Sequence, residues 1–498
     1  MTPLRDIVVV GHGSAAYLSA LTLARAAQGL GLRITVVDLA SAAGDSAVLG
    51  EAEATFPPLR AFHGLLGLSE AQLGDFARAS PWLGLQMCGW GHDPDAEASR
   101  AGFVQSLGET GASLNTVAFQ QFLSWLRLTG RPSAFERYNL GARAARAGKF
   151  QPPSPDARSI LSTYAYGLTI EVAAYARGLR ALAASAGVRL TSAGSIEVAL
   201  DPASEHRIAA VRLDGGETIA GDLFIDASGA AAVLARRTLQ ARFEPVSALT
   251  AASLVSVRLA TPAAQAMNRC DALPGGYLLS LGLADGQVLS LVHDPAQLDV
   301  TDASATLAAI PGARDLRKTG FTQGRLTQAW VGNCIAIGAA AGVLEPLNVS
   351  GLHQVQSGLT RLIGLFPDRN LYPSLRDEYN RLTGEAFDRQ RDIVLATYAL
   401  SGSLDRDAWP ESLARKIEQF RSRGRVALLD GETFTEAQWV NLFLGLGLDP
   451  ERYDPMIDSL DKAKINRQLS AMAAQVAQAT DAMPPFRAAH PMTQAARR

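Results

Sequence analysis

Gly11, Gly13, Ala16 and Asp38 are the residues of this chain whose types and spacing point most directly to chemistry. The apolar run Asp6-Ile-Val-Val-Val10 ends in Gly11-His-Gly13-Ser14-Ala15-Ala16, a GxGxxA turn. Glycine suits such a turn because the backbone must bend sharply and approach a pyrophosphate closely. Ala16 is small enough for a helix to lie against the strand. A helix starting near Ser14 presents unspent N–H groups and a partial positive charge to phosphate. Asp38 stands 22 positions after Ala16, at the end of the run Ile34-Thr-Val-Val-Asp38, where a carboxylate accepts hydrogen bonds from ribose hydroxyls. The same glycine turn also occurs without a ligand. Strand, helix and acid in register favour a dinucleotide, held by Gly11, Gly13, Ser14, Ala15, Ala16 and Asp38. His12, inside the turn, either touches that cofactor or faces solvent.

These residues need an α/β frame: a parallel strand at 6–10, a helix over 15–28 and a second strand at 34–38. Further along, helices are expected at 58–80 and 115–130, with 41–58 wrapping the cofactor. Residues 130–158 read as a long surface loop. Strands are expected at 188–201 and 207–213, meeting near Glu205-His206. Asp222-Leu-Phe-Ile-Asp226 is another buried strand, ending in Ala227-Ser-Gly229 before a helix at 230–238. Strands at 246–260 and 276–293 alternate as antiparallel strands do, and the chain reads as helical from Gly351 to about residue 475. Gly338-Ala-Ala-Ala-Gly342 follows a strand and is expected to open a helix whose N–H groups approach a cofactor ring or an anion.

Composition narrows the field. The 498 residues are 48% hydrophobic with a formal net charge of -2, enough for a sizeable core and with no basic stripe for nucleic acid. Cys88, Cys270 and Cys334 are widely spaced and odd in number, which argues against a disulfide framework. No metal site is expected: the cysteines match no metal spacing, nor do His63, His92, His206, His293 and His490. No apolar stretch has the length of a membrane helix, and the first strand starts too near Met1 for a signal peptide. The expectation is a soluble, cytoplasmic protein.

Several blocks, in common order over roughly 5–460, resemble the FAD-dependent tryptophan halogenase family. They are the GxGxxA turn; Ala54-Thr-Phe-Pro-Pro-Leu; Trp82-Leu-Gly-Leu-Gln-Met-Cys-Gly-Trp90; Trp330-Val-Gly-Asn-Cys-Ile-Ala-Ile-Gly338; and Glu345-Pro-Leu-Asn348-Val-Ser350-Gly351-Leu-His353. The resemblance implies a Rossmann-like FAD-binding domain of the flavin monooxygenase and halogenase type, a mixed-sheet substrate region and a helical C-terminal part. It places the FAD domain at 1–60, 155–240 and 320–365, the substrate-covering region at 61–154 and 241–319, the helical region at 366–480 and a loose tail at 481–498. It adds Glu53, Ala54, Asp226, Gly338, Leu347, Ser350 and Gly351 to the cofactor contacts. Glu51 is an equally legible match for the family glutamate. It implies FAD reduced by a separate reductase, consistent with the lack of a second GxGxxG, and chloride near Ser350 and Gly351.

The departures bear on the reaction. In that family reduced FAD and oxygen convert halide to hypohalous acid, which a lysine presents to an aromatic carbon with help from a glutamate. Here Trp82 and Asn348 hold those two positions. An indole cannot carry the charge of an ammonium, and a carboxamide cannot take a proton as a carboxylate does. A family Trp-x-Trp-x-Ile-Pro segment is matched by Tyr277-Leu-Leu279-Ser-Leu281-Gly282, so Tyr277, Leu279 and His353 are expected to line the substrate. The preferred expectation is oxygen-dependent oxidation of an aromatic or indole-like compound, free or peptide-borne. One alternative is a non-catalytic subunit paired with an active flavoprotein, beside which a homodimer also stands. Another is a halogenase whose amine has moved to Lys149 or Lys318. Blander readings stand beside these. Trp82 fills a blocked tunnel, Asn348 caps the next helix, His353 is structural, Tyr164 and Tyr166 pack the core, and Arg143 and Arg146 form a solvated face.

Overall fold

The computed structural model describes residues 3–39, 50–91 and 97–487, and its backbone forms two compact units. His92, His490 and the first part of the stretch expected to wrap the cofactor lie outside the described residues.

The first unit comprises Met1–Ala79, Ile170–Val255 and Arg317–Asp388. Its sheet runs in the order 330–331, 334–336, 223–227, 6–11, 33–39, 189–193, parallel except for the first pair. The strand Asp6–Gly11 is central, with Val8 opposite Phe224 on one side and Thr35 on the other. That explains an uninterrupted Ile7-Val-Val-Val10: both faces are covered and every side chain is buried. The helix Gly13–Ala26 buries every residue from Gly13 to Leu23 and packs against the helix Val172–Ser185. Its Ala, Ser and Gly content permits the close approach.

The second unit comprises Ser80–Thr169, Ser256–Leu316 and Arg389–Arg498. Strands 287–293, 276–282, 268–273, 84–88 and 103–106 lie side by side, mostly antiparallel, with 268–273 and 84–88 parallel. Helices Phe119–Leu128 and Lys462–Ala482 share a core of Phe122, Trp125, Ile465 and Leu469. The frame is thus α/β, with mixed sheets and a helical C-terminal part.

Six local expectations are corrected. The helix at 58–80 is two helices, Pro57–Leu65 and Glu70–Ala77, because Gly67 turns left-handed and Ser69 with Gln72 forms a capping box that starts the second. The surface loop at 130–158 contains the helix Leu140–Arg146, capped by Asn139. Leu140, Ala142, Ala144 and Ala145 are buried, and the helix packs against Lys462–Ala482. The two strands meet at residues 202–203, not near Glu205-His206, because the second begins at Ser204. The expected helix at 230–238 is a 3-10 turn followed by a π-helix, Val233–Thr238. Gly338 opens no helix but a three-residue 3-10 turn, and the helix begins only at Gly351, past Pro346. The expected loose tail is docked as far as Phe486, whose N–H bonds Gly148 O at 2.8 Å and whose ring packs on Phe150.

Candidate functional site

In the first unit the glycine turn has the geometry a pyrophosphate needs. Gly11 has φ of 152°, and a Cβ there would lie 2.1 Å from Ala227 O, so the neighbouring strand alone demands glycine. Gly13 is also left-handed, at φ 77°. His12 precedes the helix without capping it through its side chain, so its side chain satisfies none of the first N–H groups. These features fit a dinucleotide phosphate.

The Asp38 carboxylate sits at the end of its strand, and both oxygens are held. Oδ1 is 2.6 Å from His12 Nδ1, Oδ2 accepts the Tyr17 hydroxyl, and Arg180 Nε lies 3.8 Å away. Burial works to raise this carboxyl, but the bonds from His12 and Tyr17 overcome it, so it stays below its ordinary value. An ionised carboxylate has about four lone-pair sites, which leaves capacity for ribose. Sequence reasoning missed the Tyr17 bond and the His12 bond; His12 was visible in the turn, but nothing in the spacing aimed it at Asp38.

Asp226, expected to touch the cofactor, is committed to its own turn. Oδ1 accepts from Ser228 N at 3.1 Å and Ser228 Oγ at 2.5 Å, and Oδ2 accepts from Leu234 N and Ala235 N, both at 2.8 Å. Full burial pushes its carboxyl up, against the pull of these donors.

The second cluster in this unit surrounds the start of the helix Gly351–Gly364. Ser350 is its N-cap, accepting from His353 N at 3.2 Å. Asn348 is therefore not the cap; it sits two residues earlier at φ 57°, a left-handed conformation asparagine tolerates. Glu53, on the strand Ala52–Ala54, places Oε1 2.5 Å from Ser350 Oγ and 3.2 Å from Leu352 N. Glu51 instead pairs with Arg317. Of the two glutamates, Glu53 is the one at the helix terminus, flanked by Ala54. A halide on the Ser350 and Gly351 backbone would share the helix field with that carboxylate. Gly338 at φ 64° faces the same helix, where a Cβ would lie 2.7 Å from Val355 Cγ2 and 3.7 Å from Ala15 Cβ. Leu347 is fully buried. Glu345, also buried, exchanges bonds with Gln323: Gln323 Nε2 to Oε1 at 3.2 Å, and Glu345 N to Gln323 Oε1 at 2.9 Å.

His353 is buried, with Phe56 edge-on at 5.7 Å and Ser357 Oγ 3.4 Å from Nε2. Burial, then the Arg361 charge, lowers its pKa to about 4. It is neutral at pH 7 and cannot supply the cation that an ammonium would. His63, 2.6 Å from Tyr175 OH, is also lowered to about 4, by burial and then by Arg60. Both would be protonated near 6.5 in the unfolded chain, so the unfolded state binds more protons between pH 6.5 and 4 and stability falls as pH drops through that window. Each histidine is expected to remove roughly 2 kcal/mol by pH 5. Melting temperatures from pH 8 to 5 should be flat above 7 and fall below it, and His353→Gln should roughly halve the fall.

In the second unit Trp82 is buried on the strand Ser80–Trp82, directly opposite Gly167, so no cross-strand side chain competes with the indole for space. Tyr277, Leu279 and Leu281 alternate on the buried face of the strand Gly276–Gly282. The Tyr277 ring lies 5.8 Å from Trp90, which lies 5.7 Å from Tyr398. The Trp90 Nε1–H is buried with no acceptor among the described residues. Sequence reasoning quoted Trp90 only as the end of a block and missed Tyr398. Tyr164 and Tyr166 are core residues. Arg146 is not merely solvated: it pairs with Glu136 at 2.6 Å. Lys149 Nζ donates to Asp481 O at 2.6 Å. In the first unit, Lys318 is exposed on an edge strand. Neither amine has the desolvated surroundings of a reactive lysine.

Comparison with known proteins places these features. The family model "Tryptophan halogenase" matches residues 6–462. The solved structure of BrvH, a flavin-dependent halogenase from Brevundimonas sp. BAL3, is 30% identical with a TM-score of 0.89, covering 99% of each chain. Xcc4156, a flavin-dependent halogenase from Xanthomonas campestris, is 28% identical with a TM-score of 0.89, over 99% of this chain and 98% of that one. Tryptophan 7-halogenase KtzQ from Kutzneria sp. (strain 744) is 26% identical over 91% of both chains.

Proposed function

Since the chain belongs to the tryptophan halogenase family, an FAD-using enzyme family, we propose that it oxidises an aromatic or indole-like substrate, free or peptide-borne, by a route that dispenses with the family's lysine and glutamate. The observation that carries this reading is Trp82, a neutral indole buried in the strand Ser80–Trp82, at the position that the order of motifs matches to the family's lysine. Asn348 matches the glutamate and cannot act as the proton acceptor. One well-placed acid or base is worth on the order of 10²–10⁴-fold in rate, so loss of both groups rules against the lysine route.

FAD, when bound in reduced form, would supply two electrons to oxygen; one oxygen atom goes to the substrate and the other leaves as water with two protons. Gly11, Gly13 and the N–H groups after His12 would hold the pyrophosphate, and Asp38 the ribose. Ser350, Gly351 and Gly338 would face the flavin ring. Tyr277 and Leu279 would present an apolar wall to an aromatic substrate. The electrons would come from a separate flavin reductase, because the chain carries one GxGxxA turn.

A second reading is a flavin-binding subunit without its own reaction, favoured by the same burial of Trp82 as inert filling. Purified protein tests both. A yellow protein that consumes oxygen with chemically reduced FAD only when indole or a tryptophan-containing peptide is added supports the enzyme. A colourless protein that co-purifies with another flavoprotein supports the subunit. Rapid NADH or NADPH oxidation by the protein alone contradicts the separate reductase.

A further inference from the structure

A cavity of about 380 Å³ lies among the C-terminal helices of the second unit. Arg389 reaches it from the helix Pro373–Leu400. Glu411, Ser412, Arg415 and Lys416 come from the helix Glu411–Arg423, and Leu429 from the segment after it. None of these residues is assigned to flavin or substrate above.

The charges do not cancel within the cavity. Lys416 is buried and its amine is already matched: Glu432 Oε2 lies 2.6 Å away, and the Trp439 ring centroid lies 4.0 Å away. Trp439 Nε1 donates to the other Glu432 oxygen at 3.1 Å, so lysine, glutamate and indole satisfy one another. The Ser412 hydroxyl is committed to Asp392 at 2.5 Å. Arg389 and Arg415 remain, with no ion pair or hydrogen bond among the described residues, and Arg389 Nε is buried without an acceptor. A donor taken from water and left unmatched is costly. A guanidinium so placed is built to receive an oxyanion in bidentate fashion. Glu411 is the one carboxylate among the lining residues, so two guanidiniums leave the wall net positive. Leu429 adds an apolar face, and the volume exceeds what a bare inorganic anion fills.

We propose that this cavity binds a small organic oxyanion, a carboxylate or phosphate monoester carried on an apolar group. The test is calorimetric titration of the full chain with benzoate, phenylphosphate, inorganic phosphate and benzyl alcohol. One aromatic anion is expected to bind at a single site, more tightly than inorganic phosphate, and benzyl alcohol not at all. Arg389→Ala and Arg415→Ala are each expected to weaken binding by about tenfold or more, and Arg389→Lys to restore part of it. Arg415 is exposed, so its variant keeps the test sound if Arg389→Ala does not fold. No binding of either aromatic anion at roughly 10 mM would overturn the proposal. So would affinity unchanged by both alanine variants, or inorganic phosphate binding as well as phenylphosphate.

Discussion

Gly11→Ala will yield a protein that retains no flavin and unfolds at distinctly lower denaturant. The added Cβ would meet Ala227 O at 2.1 Å and Ala227 C at 2.3 Å, distances no carbon atom tolerates. Both are backbone atoms of the adjoining strand, so no side chain can swing away. The strands Asp6–Gly11 and Leu223–Ala227 must separate where Val10 and Gly11 face Asp226 and Ala227. Overpacking of a core costs about 1–3 kcal/mol, and a backbone obstacle puts this substitution at the upper end or beyond. Gly29→Ala is the control, since nothing lies within 4 Å of its Cβ; it is expected within about 0.5 kcal/mol of the parent. Urea midpoints and bound-flavin absorbance of both proteins decide the matter. Gly11→Ala with normal flavin content would mean that the turn does not hold the cofactor as described.

Asp226→Ala will cost roughly 3–5 kcal/mol, because it leaves several buried donors unmatched at about 1–3 kcal/mol each. Four donors, the Ser228 N–H and O–H and the Leu234 and Ala235 N–H groups, end on this one carboxylate. Two of those N–H groups belong to the π-helix, so its opening turn loses its anchor. Asp226→Asn retains one carbonyl acceptor and is expected to fall between the parent and Asp226→Ala in melting temperature. A direct cofactor contact would behave differently: flavin affinity would fall while the melting temperature of the flavin-free protein stayed unchanged. A turn-organising role lowers the melting temperature of the flavin-free protein as well.

The contrast between these two residues shows what the sequence could convey. Gly11 was legible because the motif around it, one strand, one turn and one helix, lies within a short window, although the Ala227 contact that also demands glycine comes from a distant strand. Asp226 was legible as the end of a strand, but its donors are the Ser228 N–H and hydroxyl and two N–H groups eight and nine residues on, and no residue type marks that the turn curls back to deliver them. That capture also explains the π-helix, where periodicity predicted an ordinary helix. The segment 130–158 failed for a related reason. Its Gly, Pro, Arg and Ser content read as a loop, whereas Asn139 caps a short helix whose alanines are buried against the helix Lys462–Ala482. Glu53 and Glu51 could not be separated by spacing; the fold separates them by pointing one at Ser350 and the other at Arg317. Trp82 and Asn348 were legible only through the order of motifs around them. The aromatic company of Tyr277, namely Trp90 and Tyr398, comes from segments distant in sequence and left no local trace.

The most direct test of the account concerns what Trp82 and Asn348 leave undone. The protein is incubated with chemically reduced FAD, oxygen, excess bromide and either indole or a tryptophan-containing peptide, and the products are read by mass spectrometry. A product that has gained oxygen and carries no bromine isotope pattern is the result expected. A brominated product formed by this polypeptide alone, above a protein-free control, would contradict it.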